Sequence, residues 1–443
     1  MAGLKFQLKH TKHIAWMKIA KSYPIMKRAQ REPHYWIEVQ NKRIPEFVNY
    51  IYNIPFYRKR FEENGVLPQD ISKREDFTKL PPLTKQEYRE WLLQETADKE
   101  KVRYWAHRKT TGSSGTPLEL YSLPTDRATE IANLSRCAMI QGKGYNPFFG
   151  RIFATMNPQG TGRPTKLSFP YYWRESSISE PKYLVEAYNA CKPDFYYGNK
   201  TAVQMIAEYA LAHQIKLHRA KCVGSISEPL PENVREIINK AFGDNVLFDI
   251  YGCAELGNIA VDLPSQPYKH IIWNDTYCVN LQNAEKVEGK DNAYTGKIMV
   301  TSLAHRGLPL VNYIIGDTVE LTIEDEVPYI TKILGRTDDA IRNLDGSKST
   351  WLHVNRIMHG LTDVTQFRCI QKSYTDLLFV LAQTNMSDER KREVERHIQT
   401  KAAEFFGTDM DKRGKNIYFQ WCERIPPDPT GKIRILISEI KDV

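Results

Sequence analysis

The stretch "CVGSISEPLPENVREIINKAFGDNVLFDIY", Cys222–Tyr251, decides the fold. It opens and closes on short apolar runs, "CVGSIS" at Cys222 and "VLFDIY" at Val246, each of the length of a buried strand. Between them, Pro231 suits a first helical turn, Val234, Ile237, Ile238 and Ala241 form an apolar stripe, and Gly243 ends the pattern. Strand, helix and strand in that order predict a right-handed βαβ crossover and an α/β architecture. The same alternation spreads outward. "RIFAT" at Arg151 reads as another buried strand, and Lys269–Ile333 is strand-rich, with "KIMVTS" and "TVELTI" as its clearest runs. Residues 1–100 read mostly helical, and Thr84 with Glu87 three residues on opens "TKQEYREWLLQE" as a capping box.

"RTDDAIR", Arg336–Arg342, is a polar break. Beyond it, strand candidates "VTQFRCI", "LLFVLA", "IYFQW" and "IRILIS" surround a helix at Ser387–Phe406, with Val394, Ile398, Ala402 and Phe405 on one face. This predicts a small α+β domain. The expected organisation is a large N-terminal α/β domain over 1–334, a hinge at 335–340 and a C-terminal lid domain over 341–443.

The chain has 443 residues, ordinary apolar and charged fractions, and a net charge of +9. Residues 1–31 carry Lys5, Lys9, Lys12, Lys18, Lys21, Lys27, Arg28 and Arg31 and no acid; removing those eight charges leaves +1 for the rest. A nearly neutral body argues against nucleic-acid binding. The basic segment, interleaved with Leu4, Phe6, Leu8, Ile14, Trp16, Met17 and Ile19, reads as a docked helix with a solvated lysine face; weak contact with a membrane surface is the competing reading. No apolar run reaches membrane-spanning length and no signal-peptide core is visible at the N-terminus. The seven cysteines, Cys137, Cys191, Cys222, Cys253, Cys278, Cys369 and Cys422, are odd in number and form no CxxC pair. That favours a reducing cytoplasm over a disulfide framework or a zinc site.

Five stretches carry candidate chemistry. "KTTGSSGTPLELY", Lys109–Tyr121, is either a hairpin turn or an anion cradle of N–H groups and hydroxyls; no Gly-Lys-Ser/Thr follows, so it is not a Walker loop. "DIYGCAE", Asp249–Glu255, follows a buried strand, where a tyrosine can stack on a base, a glycine allows close approach and a carboxylate can hold Mg²⁺; a polar loop closing the strand is the plain alternative. "YIIGDTVEL" offers Asp317 to ribose hydroxyls, or is a turn between strands. "LGRTDD" sets Arg336 before paired acids, which suits a surface ion-pair cluster equally well. "PPDPTGKIR" puts Lys432 on a Pro/Gly loop, where a lone lysine is ordinarily just solvated.

Taken in order, these five motifs resemble those of the adenylate-forming superfamily of acyl-CoA synthetases, peptide-synthetase adenylation domains and luciferases. "NIPFYRKRFEENGVLPQDISKREDFTKLPPLTK", Asn53–Lys85, and Thr116 resemble the branch of phenylacetate–CoA ligases and CapK-like proteins. The resemblance covers about residues 45–443. It implies that Thr111, Ser113, Ser114 and Thr116 line a phosphate loop, and that Glu228 and Pro229 of "SISEPL" match an adenine-side loop. It also implies that Asp249 and Tyr251 contact adenine beside Gly252, that Glu255 ligates Mg²⁺, and that Asp317 binds ribose with help from Arg336. Asp338 matches the hinge position and Lys432 the C-terminal lysine, so Lys432, Glu255 and Thr111 are the expected catalytic set.

The implied activity is ATP- and Mg²⁺-dependent conversion of a small carboxylic acid to an acyl-adenylate, then acyl transfer to CoA, an amine or a hydroxyl, with CoA preferred. Alternatives are adenylyl transfer of the kind coenzyme F390 synthetases perform, and a non-catalytic nucleotide-binding scaffold at a membrane surface. Two departures from the branch stand out. "NLDGSKSTWLHVNRI", Asn343–Ile357, replaces an "RG-x-N" turn bordering the pantetheine route, leaving Gly346 as the candidate glycine there. "VDLPSQPYKH" lacks the cysteines many relatives carry, so no zinc is expected. Tyr171, Tyr172, Trp173, Tyr196 and Tyr197 read as core, with an acyl pocket as the alternative.

Overall fold

The computed structural model describes residues 2–109, 118–156, 160, 162–163, 171–336, 340–361, 363–383, 386–409, 412–428 and 431–440. The fold is α/β, in two compact units: Met1–Gly150 with Lys221–Ser227 and Phe248–Ile333, and Arg151–Ala220 with Glu228–Leu247 and Leu334–Val443.

The first unit opens on helices Ala2–Ala29, Tyr35–Tyr52, Pro55–Glu63 and Lys85–Glu95. The last begins at the expected box, with Thr84 Oγ1 accepting from Glu87 N at 3.2 Å and Glu87 Oε2 accepting from Thr84 N at 2.8 Å. The basic helix Ala2–Ala29 packs along helix Pro124–Met139. It buries Ala15, Ile19, Met26 and Ala29 and leaves Lys12 and Lys21 exposed, as a docked helix should. Among the described residues no helix is long and apolar enough to cross a membrane.

The sheet of this unit runs Tyr277–Lys286, Ala293–Ser302, Tyr313–Glu324, Val327–Arg336, Gln266–Ile272, Gly257–Leu263, Leu247–Cys253, Cys222–Ile226 in hydrogen-bonded order. The two strands of the opening stretch are therefore neighbours. Between them the helix spans Glu232–Phe242, with Pro231 as its N-cap and not inside its first turn. The buried stripe is Val234, Ile238 and Phe242; Ile237 and Ala241 are only partly covered.

In the second unit, strand Ile152–Thr155 lies parallel between Phe195–Asn199 and Tyr172–Arg174, with helices Pro181–Cys191 and Lys200–Ala212 following in sequence. Its C-terminal part has a sheet ordered Asn416–Cys422, Asp376–Ala382, Gln366–Gln371, Leu436–Ser438. Helices Trp351–Ile357 and Asp388–Phe406 share a core with it, including Val354, Phe379, Val394, Ile398 and Ala402. Phe406, four residues on from Ala402, is the buried aromatic there; the expected Phe405 only flanks that core. All seven cysteines are free.

Candidate active site

In the first unit the site starts at the carboxyl end of strand Leu247–Cys253, whose first five residues are buried. Its pairing with Gly257–Leu263 shifts register between Tyr251 and Gly252, a bulge that bends the strand end. A Cβ on Gly252 would stand 2.2 Å from the Gly257 carbonyl oxygen, so glycine here serves the close approach of the neighbouring strand. Tyr251 donates its hydroxyl to Asp317 Oδ2 at 2.8 Å. Tyr313, on the strand that also carries Asp317, donates to Glu255 Oε1 at 3.2 Å. The chain thus brings together three of the expected residues, Tyr251, Asp317 and Glu255, from segments nearly seventy positions apart. Asp249 is buried, with Oδ2 3.0 Å from His270 Nε2 and its backbone N–H on Asp262.

The strand carrying Tyr313 is held from outside the sheet. Leu83 N donates to Asn312 O at 2.9 Å and Ile314 N to Leu83 O at 3.0 Å, so the "LPPL" segment of the N-terminal signature forms a short parallel bridge beside it. Burial pushes the Tyr313 phenol far up, and the nearby Glu255 carboxylate pushes in the same direction. It therefore stays a neutral donor, aimed at the carboxylate. Burial raises the Cys253 thiol as well, again with Glu255 contributing, which disfavours its thiolate.

Loop residues Thr110–Pro117, including Thr111, Ser113, Ser114 and Thr116, lie outside the described residues. Their flanks pair antiparallel, Ala106–Lys109 against Glu119–Ser122, so the loop is carried on a hairpin stem. Arg108 on that stem makes a bidentate pair with the buried Glu130 of helix Pro124–Met139, both contacts at 2.5 Å. Arg127 also pairs with Glu130, and His305 Nε2 lies 4.0 Å away. Burial opposes the charge on Glu130, but Arg127 and Arg108 outweigh it and hold the carboxyl below its usual value. Nothing local in the sequence announces this anchor. Arg108 and Glu130 look like any surface pair until the stem and helix are packed together.

In the second unit, Lys432 follows Gly431 on a tight turn in which Gly431 N donates to Asp428 O at 2.8 Å and Asp428 N to Lys432 O at 2.8 Å. The turn is seated on the expected adenine-side loop: Ile433 N donates to Glu228 Oε1 at 3.1 Å. Glu228 also accepts from Thr201 N at 3.0 Å and Thr201 Oγ1 at 2.7 Å, with Lys200 Nζ 3.8 Å away. Pro229 is partly buried beside it. Arg336 is partly buried at the end of strand Val327–Arg336, whereas Asp338 lies outside the described residues. Gly335 has φ +95° and faces the Trp351 indole, where a Cβ would meet ring carbon at 2.6 Å. Gly346 has φ +79° in the turn after strand Ile341–Arg342, its N–H donating to Asn343 O at 3.0 Å.

Of the aromatic set, Tyr196 is core, packed on Phe153, Tyr188 and Phe242, and Trp173 packs edge-on against Phe153. Tyr172 and Tyr197 share a hydrogen bond between their hydroxyls at 2.8 Å.

No family model matches the chain. Protein CapK of Staphylococcus aureus is 24% identical over 437 residues, covering 93% of this chain and 91% of that protein. The phenylacetate-coenzyme A ligase of Pseudomonas putida is 25% identical over 317 residues, 65% of this chain and 67% of that one. Among solved structures, 2-hydroxyisobutyryl-CoA ligase in the postadenylation state with 2-HIB-AMP superposes with a TM-score of 0.68 at 18% identity, over 91% of this chain and 89% of that one. The chain therefore has the fold of that acyl-CoA ligase. In sequence it is similar to CapK and to phenylacetate-coenzyme A ligases of several bacteria.

Proposed function

We propose that this chain is an adenylate-forming ligase. It condenses a small carboxylic acid with ATP to an acyl-adenylate and pyrophosphate, then passes the acyl group to an acceptor, of which CoA is the favoured one. The observation that supports this most is the seating of the Lys432 turn on Glu228, which sets the C-terminal lysine beside a loop the resemblance assigns to the nucleotide.

The chemistry needs no nucleophilic side chain. A carboxylate is already ionised near neutral pH, and one of its oxygens attacks the α-phosphorus as the bond to pyrophosphate breaks. The chain's work is to align two anions and stabilise the charge that develops on pyrophosphate. Tyr251 fixes the rotamer of Asp317, which accepts the ribose hydroxyls. The resemblance would assign Thr111, Ser113, Ser114, Thr116 and Lys432 to the phosphates, Glu228 and Pro229 to the adenine, and Arg336 to the ribose. Glu255 fits Mg²⁺ by its donor chemistry: a partly exposed carboxylate whose Oε1 accepts from a neutral phenol suits a cation that takes one or two protein carboxylates plus phosphate oxygens. Bound there, Mg²⁺ would offset phosphate charge.

In the second half-reaction the acceptor attacks the acyl carbon and AMP leaves. We place residues 341–443 as the lid, 335–340 with Asp338 as its hinge, and the cytoplasm as the compartment, a reading supported by seven free cysteines. The CoA preference is supported by the names of the P. putida ligase and the superposed structure. ATP–pyrophosphate exchange across a panel of carboxylic acids tests the first half, and thioester formation with CoA against amine acceptors tests the second. Exchange with no acid, despite ATP binding, would overturn the proposal.

A further inference from the structure

We propose that Asn199 is the positioning residue of the Lys432 turn, with Thr201 and Glu228 completing a bracket that sets the direction of the lysine. The inference rests on the reading of Lys432 as the lysine of the adenylation step.

Asn199 ends strand Phe195–Asn199 and caps helix Lys200–Ala212, and it is fully buried. Its Oδ1 accepts from Ala202 N at 3.0 Å, the ordinary task of an N-cap. Its Nδ2 donates to Gly431 O at 2.8 Å, 232 positions along the chain. The cap fixes the amide's orientation, because turning it over would set N–H against N–H at the helix end. The nitrogen can therefore only face Gly431.

On the other side of Lys432, the Ile433 N–H is shared between Thr201 Oγ1 and Glu228 Oε1, both at 3.1 Å. The carbonyl before the lysine and the N–H after it are thus both gripped by the first residues of one helix and the glutamate bound to them. With the peptide planes on either side of Lys432 held, its Cα–Cβ direction is set as well. Gly431 completes the fit: it has φ +82°, and a Cβ there would stand 2.3 Å from Ser177 Oγ. The turn is made to lie against this surface closely, and a capping role alone requires only Oδ1 of Asn199.

Asn199→Asp separates the two tasks. Aspartate is as good an N-cap as asparagine and has the same shape, but it places an acceptor oxygen against the Gly431 carbonyl. Acid-dependent pyrophosphate exchange should fall in kcat by on the order of 10²-fold, the cost of misplacing a catalytic group by about 1 Å, with KM for ATP and acid unchanged. The thermal midpoint should fall, because a buried carboxylate then faces the Gly431 carbonyl, but the protein should remain folded at the assay temperature and acyl transfer from supplied acyl-adenylate should persist. Thr201→Val, which removes the hydroxyl and keeps the volume, should show the same split and covers the case that Asn199→Asp does not fold.

Wild-type exchange in both variants, or equal loss of both half-reactions in folded protein, would overturn the bracket while leaving the ligase reading intact. A wild-type protein that exchanges with no acid would sink the ligase reading, and this inference with it.

Discussion

Glu208 provides a pH test whose sign and size follow from its surroundings. It lies on helix Lys200–Ala212, where Gln204 Nε2 donates to Oε1 at 2.7 Å and Gln366 Nε2 to Oε2 at 3.3 Å. Burial raises its carboxyl from 4.5 to about 7, against the opposing influence of Gln204, Lys200, Gln366 and Arg424. The native state therefore keeps a proton that the unfolded chain releases. Its stabilising contribution is fully present below pH 4.5 and is lost as pH climbs to about 7. At ~1.4 kcal/mol per pH unit that span amounts to about 3.5 kcal/mol at most.

Glu208→Gln abolishes the titration. It also turns an amide N–H toward Gln366, which cannot flip freely because its Oε1 accepts from Ile425 N at 3.0 Å. That mismatch is the same at every pH, so it shifts the baseline and not the slope. The measurement is urea unfolding of wild type and variant from pH 4.5 to 8. The variant should gain on wild type by up to about 3.5 kcal/mol between pH 4.5 and 7, then run parallel to it. A difference that stays constant, or that shrinks as pH rises, would refute the reasoning.

Glu255→Gln keeps the bond from Tyr313 but removes the charge, so exchange should fall by about 10²–10³-fold with an unchanged unfolding midpoint; wild-type exchange would show that the carboxylate is not the metal's. Lys432→Ala leaves the turn's backbone contacts in place and should cost about 3–4 kcal/mol in exchange, while acyl transfer from supplied adenylate persists; loss of both steps together would count against a two-orientation lid. Because helix Ala2–Ala29 spends its apolar face on the body, the protein should not co-sediment with anionic vesicles at physiological salt, and deleting residues 1–31 should lower the thermal midpoint. Salt-sensitive sedimentation that disappears on deletion would reverse that reading.

What the sequence determined by itself is what short range encodes. The strands at Cys222 and Val246 and the helix between them follow from apolar periodicity within thirty residues. The Thr84–Glu87 box is a matter of three positions. The order of the five motifs was legible too, because each is a string of neighbours.

Even so, local reading slipped where the answer depended on what lies opposite. Pro231 is the N-cap and not part of the first helical turn, and Phe406 and not Phe405 is the buried aromatic of its helix, each one place from the local expectation. Only the tertiary structure decided the partners. Tyr251 meets Asp317 across 66 positions, Tyr313 meets Glu255 across 58, and Arg108 finds Glu130 only once stem and helix pack. Asn199 is the plainest case. Its place before a helical run marks a cap in the sequence, yet the other end of the same amide reaches Gly431 across 232 positions. The reason is physical: a cap is closed by backbone three residues away, whereas strand order, register and docking bring distant atoms within bonding distance, and no local pattern encodes them.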